Sequence, residues 1–343
     1  MTKLSPYASV SETRKVLERH GLATKHSLGQ NFLINDGILQ KIVTLAELTE
    51  TDDVLEIGPG IGTLTVALLQ TAHSVTSIEF DPDLPAVLAE TTAPWAQRFA
   101  LIENDALAVQ KSAITQALAC IYAGGEEVGS AQANQANQAD QETQQNQVRS
   151  FPDKLISNLP YAVAATVVLD YFQRFSELES MTVMVQKEVA DRMCARPGVK
   201  DYSAFTVKLS FYAQAAGRFS VAPSNFFPPP RVDSAVIRLD RHTCCDEQGK
   251  QLTKEEVQAA CLMADAAFAT RRKTLANSCK TFFNARGAQG KSVAQQLPLI
   301  FEQAGIDARK RGETLVQQEF IALARAYLVH QKSGESKENF HND

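Results

Sequence analysis

Apolar and polar positions fall into alternating blocks along the first 240 residues. TDDVLEI (51–57) predicts a strand that ends in glycines, and TLTVALLQ (63–70) behind it predicts a helix. SVTSIEF (74–80) predicts a second strand, DPDLPAVLAE (81–90) a second helix and FALIEND (99–105) a third strand. KLISN (154–158), MTVMVQ (181–186) and SAVIRLD (234–240) add three strands, the last entered through the extended stop PPPR at 228–231. This spacing predicts βαβ units and a parallel sheet covered on both faces. Beyond about 245 the pattern changes, because KEEVQAACLMADAAFATRRKTLANSCKTFF carries helical periodicity and no strand signal. A boundary is therefore expected at about 242–250, with a small all-helical domain after it. Residues 124–150, rich in Gln, Ala and Asn, cannot bury an apolar face and predict a mobile surface insertion, although a short solvated helix also fits. SGESKENFHND at the end predicts a frayed tail.

Composition narrows the class. With 343 residues, 44 % of them hydrophobic and 21 % charged, the chain suits two folded domains and excludes a disordered or fibrous protein. No apolar run reaches the roughly 18 residues of a membrane helix, and the N-terminus has no signal-peptide core. The expectation is a cytoplasmic protein with no membrane contact. Six cysteines without a CxxC predict reduced thiols and no metal site. Charge is unevenly placed: residues 47–153 hold 16 acidic and 3 basic side chains, a net of −13, whereas residues 262–291 hold 6 basic and 1 acidic, a net of +5. An acidic body with basic faces suits a polyanionic partner, though a solvated surface explains the charge alone equally well.

The chemistry starts at the first glycine turn. Glu56-Ile57-Gly58-Pro59-Gly60-Ile61-Gly62 joins a strand to a helix, where glycines let a ligand approach the backbone. The spacing is not the dinucleotide fingerprint, and Glu56 is a poor neighbour for a pyrophosphate. It better suits a ligand bearing an amine and a sulfonium. Glu79 ends the next strand, where a carboxylate can accept both ribose hydroxyls, and Asp105 ends the third, where it can accept an adenine amine. Each acid taken alone is equally a cap or turn residue, and Asp81 before Pro82 is read that way. Together they describe S-adenosylmethionine, leaving as S-adenosylhomocysteine, across the carboxyl ends of the strands.

Asn158-Leu159-Pro160-Tyr161 follows the fourth strand. An adenine amine is a poor nucleophile, and a site helps by accepting hydrogen bonds from both its hydrogens. The Asn158 side-chain oxygen and the Leu159 carbonyl are suitable acceptors, Pro160 fixes the turn, and Tyr161 offers a face for an extruded base. Such a site needs positioning and charge complementarity, not a strong base. The residues themselves reach as far as an amine methyltransferase acting on a polyanion.

Several motifs in order now resemble one family. HSLGQNFL (26–33), EIGPGIG, SIEFD, NDAL, NLPY, MVQKEVADRM (184–193), VAPSNFFPPPRVDSAV and AFATRRKTLANS are similar to those of the ribosomal RNA small-subunit adenine N6,N6-dimethyltransferases, the bacterial kasugamycin-sensitivity methyltransferase family. The resemblance spans about Lys25 to Gly312. It implies an α/β fold, a Rossmann-like S-adenosylmethionine-dependent methyltransferase sheet with a small C-terminal all-helical domain. The expected division is an N-terminal arm (1–24), a methyltransferase domain (25–245) carrying the insertion, a helical RNA-binding domain (246–330) and a tail (331–343). It also implies that Asn31 and Leu33 join Gly58, Glu79, Asp105 and Asn158 in holding the methyl donor, and that Phe226 sandwiches the target base against Tyr161. The implied substrate is 16S ribosomal RNA in the small subunit or its precursor, where two adjacent adenosines of the 3′-terminal hairpin are each dimethylated. Ala162-Val163-Ala164-Ala165 departs from the family pattern, which usually has Asn and Ser there.

Candidate RNA contacts are Lys25, Lys187, Arg192 and Arg231, with Arg271, Arg272 and Lys273 on one helical turn. For any one of them a solvated side chain or an internal salt bridge fits as well. Two other readings stand beside this one: a related 23S ribosomal RNA enzyme of the macrolide-resistance type, and a non-catalytic ribosome assembly factor. A monomer is expected.

Overall fold

The computed structural model describes residues 3–24, 30–124 and 149–338, with 332–338 by backbone alone. Lys25 and nearly all of the expected insertion lie outside the described residues. Among the described residues nine strands form: β1 (Phe32–Leu33), β2 (Asp53–Ile57), β3 (Ser74–Glu79), β4 (Phe99–Glu103), β5 (Lys154–Asn158), β6 (Ser180–Gln186), β7 (Ala213–Val221), β8 (Phe226–Phe227) and β9 (Ser234–Arg241). Seven of them make one sheet in the order β4-β3-β2-β5-β6-β9-β7, and β1 and β8 make a separate antiparallel pair. The five strands from β4 to β6 run parallel. β2, β3 and nearly all of β6 are buried, as strands covered on both faces must be.

Two features of the sheet depart from the sequence pattern. β9 runs antiparallel to β6, with Gln186 opposite Ser234 and Ser180 opposite Asp240. The Lys187 N–H donates to the Asp233 carbonyl, so the chain enters β9 beside the carboxyl end of β6 and can only run back along it. β7 is the second departure, because AQAAGRFSV is largely exposed and has little apolar signal.

The strand order reverses between β2 and β5. From β2 the chain builds outward through β3 and β4; from β5 it builds the other way. A crevice opens at the carboxyl ends of such a pair. Here the glycine turn leaves β2 and the Asn158 turn leaves β5, so both motifs face that crevice.

The opposite end of the sheet is tied by a buried carboxylate. Asp53 accepts from Ser74 Oγ at 2.5 Å, Tyr122 O–H at 2.7 Å and the His73 ring at 3.0 Å, while its own N–H donates to Asp153. Lys154 reaches Asp52 at 2.7 Å on the same edge.

Two compact units result, Met1–Lys187 with Ala216–Asp240, and Glu188–Ala215 with Arg241–Asp343. Residues 3–24, in the segment expected to be an N-terminal arm, pack into the first unit. Ser9 caps the helix Val10–Arg19, which buries Val16 and Leu17 in one cluster with Phe32, Ile61 and Leu84. The second unit begins earlier than the expected boundary, because Tyr202, Val207 and Phe211 pack into the same core as the alanine-rich helix Lys254–Phe268. That helix stops at Phe268, and Thr274 caps the next, Leu275–Asn284. Arg271, Arg272 and Lys273 therefore sit in the intervening turn and not on a helical turn as the periodicity suggested. The final helix, Gln317–Glu338, extends into the segment expected to fray. No helix among the described residues is long and apolar enough to cross a membrane.

Asp53→Ala strands the buried Ser74 hydroxyl and the half-buried Tyr122 hydroxyl. It is expected to lower unfolding free energy by about 2–4 kcal/mol, read from urea denaturation.

Candidate active site

A cavity of about 670 Å³ lies at the carboxyl ends of β2, β3, β4 and β5, within the usual range for a small-molecule site. Of the sequence candidates it gathers Asn31, Leu33, Glu56, Gly58, Gly60, Glu79, Asp105, Asn158, Leu159, Pro160 and Tyr161. They come from five separate segments of the chain.

Gly60 shows why the turn needs glycine. Its φ is +62°, and a Cβ there would stand 3.0 Å from the Phe32 ring. A Cβ on Gly58, at φ +65°, would meet Pro160 of the second turn at 3.4 Å. The two turns thus approach each other closely at Gly58, while Gly60 leaves room for the Phe32 ring.

Three carboxylates have distinct roles. Glu79 Oε1 accepts from the Phe80 and Asp81 N–H groups at 2.9 and 2.8 Å, and Oε2 accepts from Gly60 N–H at 3.3 Å. Glu79 therefore couples the end of β3 to the glycine turn. Burial nevertheless raises its pKa, partly opposed by those hydrogen bonds. Glu56 is fully buried, with Oε2 accepting from Thr65 Oγ1 at 2.7 Å and Ser77 Oγ at 2.9 Å. Burial pushes its pKa up to about 7, and the nearby Glu79 charge adds to the rise. Asp105 lies two residues beyond β4, which ends at Glu103, and its Oδ1 accepts from Leu107 N–H.

Asn158 closes β5. Its Nδ2 donates to the Asn31 carbonyl at 3.2 Å, and Oδ1 has no hydrogen-bond partner among the described residues. The Leu159 N–H donates to the Met184 carbonyl, which anchors the turn to β6. The Tyr161 hydroxyl pairs with Ser234 Oγ at 2.6 Å, which fixes the ring in the cavity wall. Burial raises the Tyr161 pKa, so the phenol is neutral near pH 7. The helix Ala164–Arg174 starts at Val163 without a side-chain cap, a direct result of the alanine-rich stretch 162–165.

Other candidates are placed differently. Phe226 is 2 % exposed, packs in the core with Leu33, Leu39 and Val236, and does not line the cavity. Arg192 pairs with Glu188, and Arg271 pairs with Glu313 and reaches the Lys200 carbonyl. Arg231, Arg272 and Lys273 are exposed and make no ion pair among the described residues. Lys187 is exposed at the start of the helix Lys187–Met193. The sequence pattern does not single out Gln30, Phe32 and Phe80, which also line the cavity. Phe80 is 65 % exposed, and its place directly after Glu79 is the available signal. Among the described residues no cluster of three or more His, Cys, Asp or Glu side chains is placed to hold a metal.

Comparison with known proteins gives a consistent result. The profile described as "Ribosomal RNA adenine dimethylase" matches residues 21–315. The ribosomal RNA small subunit methyltransferase A of Geobacillus sp. (strain WCH70) is 34 % identical over 319 residues, covering 93 % of this chain and 97 % of the relative. Its namesake from Bifidobacterium longum (strain NCC 2705) is 34 % identical over 326 residues, 92 % of each chain. In fold, the chain is similar to a dimethyladenosine transferase from Plasmodium falciparum, with a TM-score of 0.62, 22 % identity and coverage of 88 % and 98 %. It is also similar to the 23S rRNA methyltransferase ErmE, with a TM-score of 0.53, 21 % identity and coverage of 87 % and 99 %.

The buried Glu56 carboxyl sets a pH dependence. Its folded pKa lies above its ordinary value of 4.5, so between about 4.5 and 7 the folded protein holds a proton that the unfolded chain releases. Stability contributed by the protonated form is present below that window and is lost as pH rises to about 7. Glu56→Gln removes the effect. Urea melts of the two proteins are expected to diverge across this window, the variant gaining on the order of 3 kcal/mol relative to wild type.

Proposed function

The chain belongs to the ribosomal RNA adenine dimethylase family, and we propose that it moves methyl groups from S-adenosylmethionine to N6 of two adjacent adenosines in the 3′-terminal hairpin of 16S ribosomal RNA. The substrate is the small ribosomal subunit or its precursor, the setting is the cytoplasm, the enzyme acts as a monomer, and the modification contributes to subunit biogenesis. The observation that carries the reading is the juxtaposition of Asn158 Oδ1, which has no partner among the described residues, with the glycine turn in one cavity. The names of the relatives with 34 % identity favour the small subunit as substrate.

The residues present fit the methyl donor. A Cβ would fill the cradle at Gly58 and Gly60, while Glu79 keeps about one lone-pair site, on Oε2, beyond its three backbone contacts for a ribose hydroxyl. Glu56 and Glu79 suit a cationic ligand, since a positive charge offsets their mutual repulsion and desolvation. Asn31, Leu33, Gly58, Gly60, Glu79, Asp105 and Asn158 would hold it, with Glu56 supplying charge from beneath. When bound, the donor supplies an electrophilic methyl on a sulfonium.

The chain's own residues handle the amine. Asn158 Oδ1 and the Leu159 carbonyl accept its two hydrogens, drawing the nitrogen lone pair out of conjugation and aiming it. Pro160 and the Leu159–Met184 hydrogen bond keep those acceptors in place. The Tyr161 ring, held by Ser234, stacks on the base. Phe226 is buried, so stacking from the opposite side falls to another group or requires the Phe226 ring to move. Arg231, Arg272 and Lys273 are exposed cations available for phosphates.

Purified protein and undermethylated small subunits test this directly. Wild type is expected to transfer methyl groups, and Asn158→Ala to lose about 100-fold or more in rate. Glu79→Ala is expected to weaken donor binding, measured by calorimetry, more than RNA binding. Full activity in Asn158→Ala removes the role given to that residue, and transfer to 23S ribosomal RNA alone redirects the substrate assignment.

A further inference from the structure

The Asn158 amide works in only one of its two flip states. Its oxygen and nitrogen are nearly the same size, so shape does not choose between them. With Oδ1 toward the amine, the side chain accepts an N–H. Flipped, it presents an N–H to another N–H, and the contact becomes repulsive. What selects the state is the Asn31 carbonyl, which accepts from Nδ2 at 3.2 Å. A flip would set Oδ1 against that carbonyl, two acceptors facing each other. The orientation of Asn158 therefore depends on where the Asn31 carbonyl stands.

That carbonyl is held from both sides. After it, Phe32 and Leu33 pair with Phe227 and Phe226, and the Phe32 ring lies over Gly60. Before it, Gln30 Nε2 donates to Asp81 Oδ2 at 2.8 Å. Asp81 is buried, its own N–H is held by Glu79, and its Oδ1 accepts from Asp83 N–H. The Gln30–Asp81 pair thus ties Asn31 to the end of β3 across 51 positions of sequence.

We propose that Gln30 and Asp81 are positioning residues for methyl transfer: their hydrogen bond fixes the Asn31 carbonyl, and that carbonyl keeps Asn158 Oδ1 turned toward the target amine. Neither residue touches the reacting atoms. The inference rests on the role given to Asn158 above. Asp81, which sequence alone reads as a turn residue, uses one carboxylate oxygen for the turn and the other for this tie.

The test exploits the polarity of the pair. Gln30→Glu sets two carboxylates against each other and breaks the tie. Adding Asp81→Asn rebuilds it with donor and acceptor exchanged, since the new amide at position 81 can donate to the new carboxylate at position 30 while its oxygen keeps the Asp83 contact. In Gln30→Glu, kcat is expected to fall by about 3- to 30-fold, a larger factor than the change in donor Kd, and in the uncharged Gln30→Ala the same excess of the kcat loss over the Kd change is expected. The double variant is expected to recover most of the lost kcat. Gln30→Ala, which introduces no charge, is expected to reproduce the loss of kcat if Gln30→Glu proves unstable in thermal melts. A purely structural role would lower the melting temperature without this split between kcat and Kd, and without recovery by the exchange. Wild-type kcat in a folded Gln30→Glu or Gln30→Ala protein, or no recovery in the exchange, overturns the proposal. Asn158→Ala in the same assay separates the two levels: if that variant stays active, it is the role of Asn158 itself that fails.

Discussion

In the proposed reaction, one planar amide at the end of β5 has to donate on one side and accept on the other. Asn158 meets this demand by giving Nδ2 to a backbone carbonyl, and much of the surrounding architecture serves to hold that carbonyl still. β1 and β8 contain two residues each, too few to stabilise a sheet, yet they fix the segment that carries Asn31. The helix Val10–Arg19 packs Val16 and Leu17 against Phe32 and Ile61, pressing the same segment toward the glycine turn. Local elements that look dispensable by size are therefore tied to the placement of one hydrogen-bond acceptor.

Placing that acceptor requires a rigid frame, and the sheet provides it by separating its two ends. At the amino edge, Asp53 gathers a serine, a tyrosine and a histidine, and Lys154 closes on Asp52. These polar groups are satisfied within the protein and leave little for a ligand. At the carboxyl edge the strand order reverses, and backbone and side-chain groups are left facing a cavity. Stability and chemistry thus occupy opposite edges of the same strands, which lets the residues of one edge specialise without weakening the other.

Much of this frame was legible in sequence because the signals are local. The runs that became β2 to β6 and β9 carry their own hydrophobic pattern, and the glycine and Asn158 turns announce themselves by composition. What was not legible depends on partners far along the chain. β1 and β8 are far apart in sequence and too short to carry a pattern of their own. Glu56 read as a ligand-facing acid, but Thr65 and Ser77 claim one of its oxygens, and neither hydroxyl had a sequence cue. Phe226 and Phe227 are adjacent aromatics, and only tertiary packing decides that the first is sealed in the core while the second meets Arg14 at 5.0 Å from its ring centre. The periodicity through 271–273 concealed a helix break whose local sign was the cap at Thr274.

The electrostatics of the cavity also limit how a nucleic acid can use it. Glu56, Glu79 and Asp81 are buried around it, and burial strengthens charge interactions by excluding water. A cation gains there, and a phosphate is repelled. Under the proposed function a polynucleotide therefore sends in only a base and keeps its backbone outside the cavity, where exposed cations such as Arg231 are available to it. Extruding a base requires breaking its stacking, and in the proposed reaction the neutral, fixed aromatic face of Tyr161 is what replaces that stacking without adding charge. The acidity that suits a sulfonium donor and the neutrality of the base-binding turn are thus two parts of one constraint: the site must attract a cation and a nucleobase while excluding the anionic chain to which the base is attached.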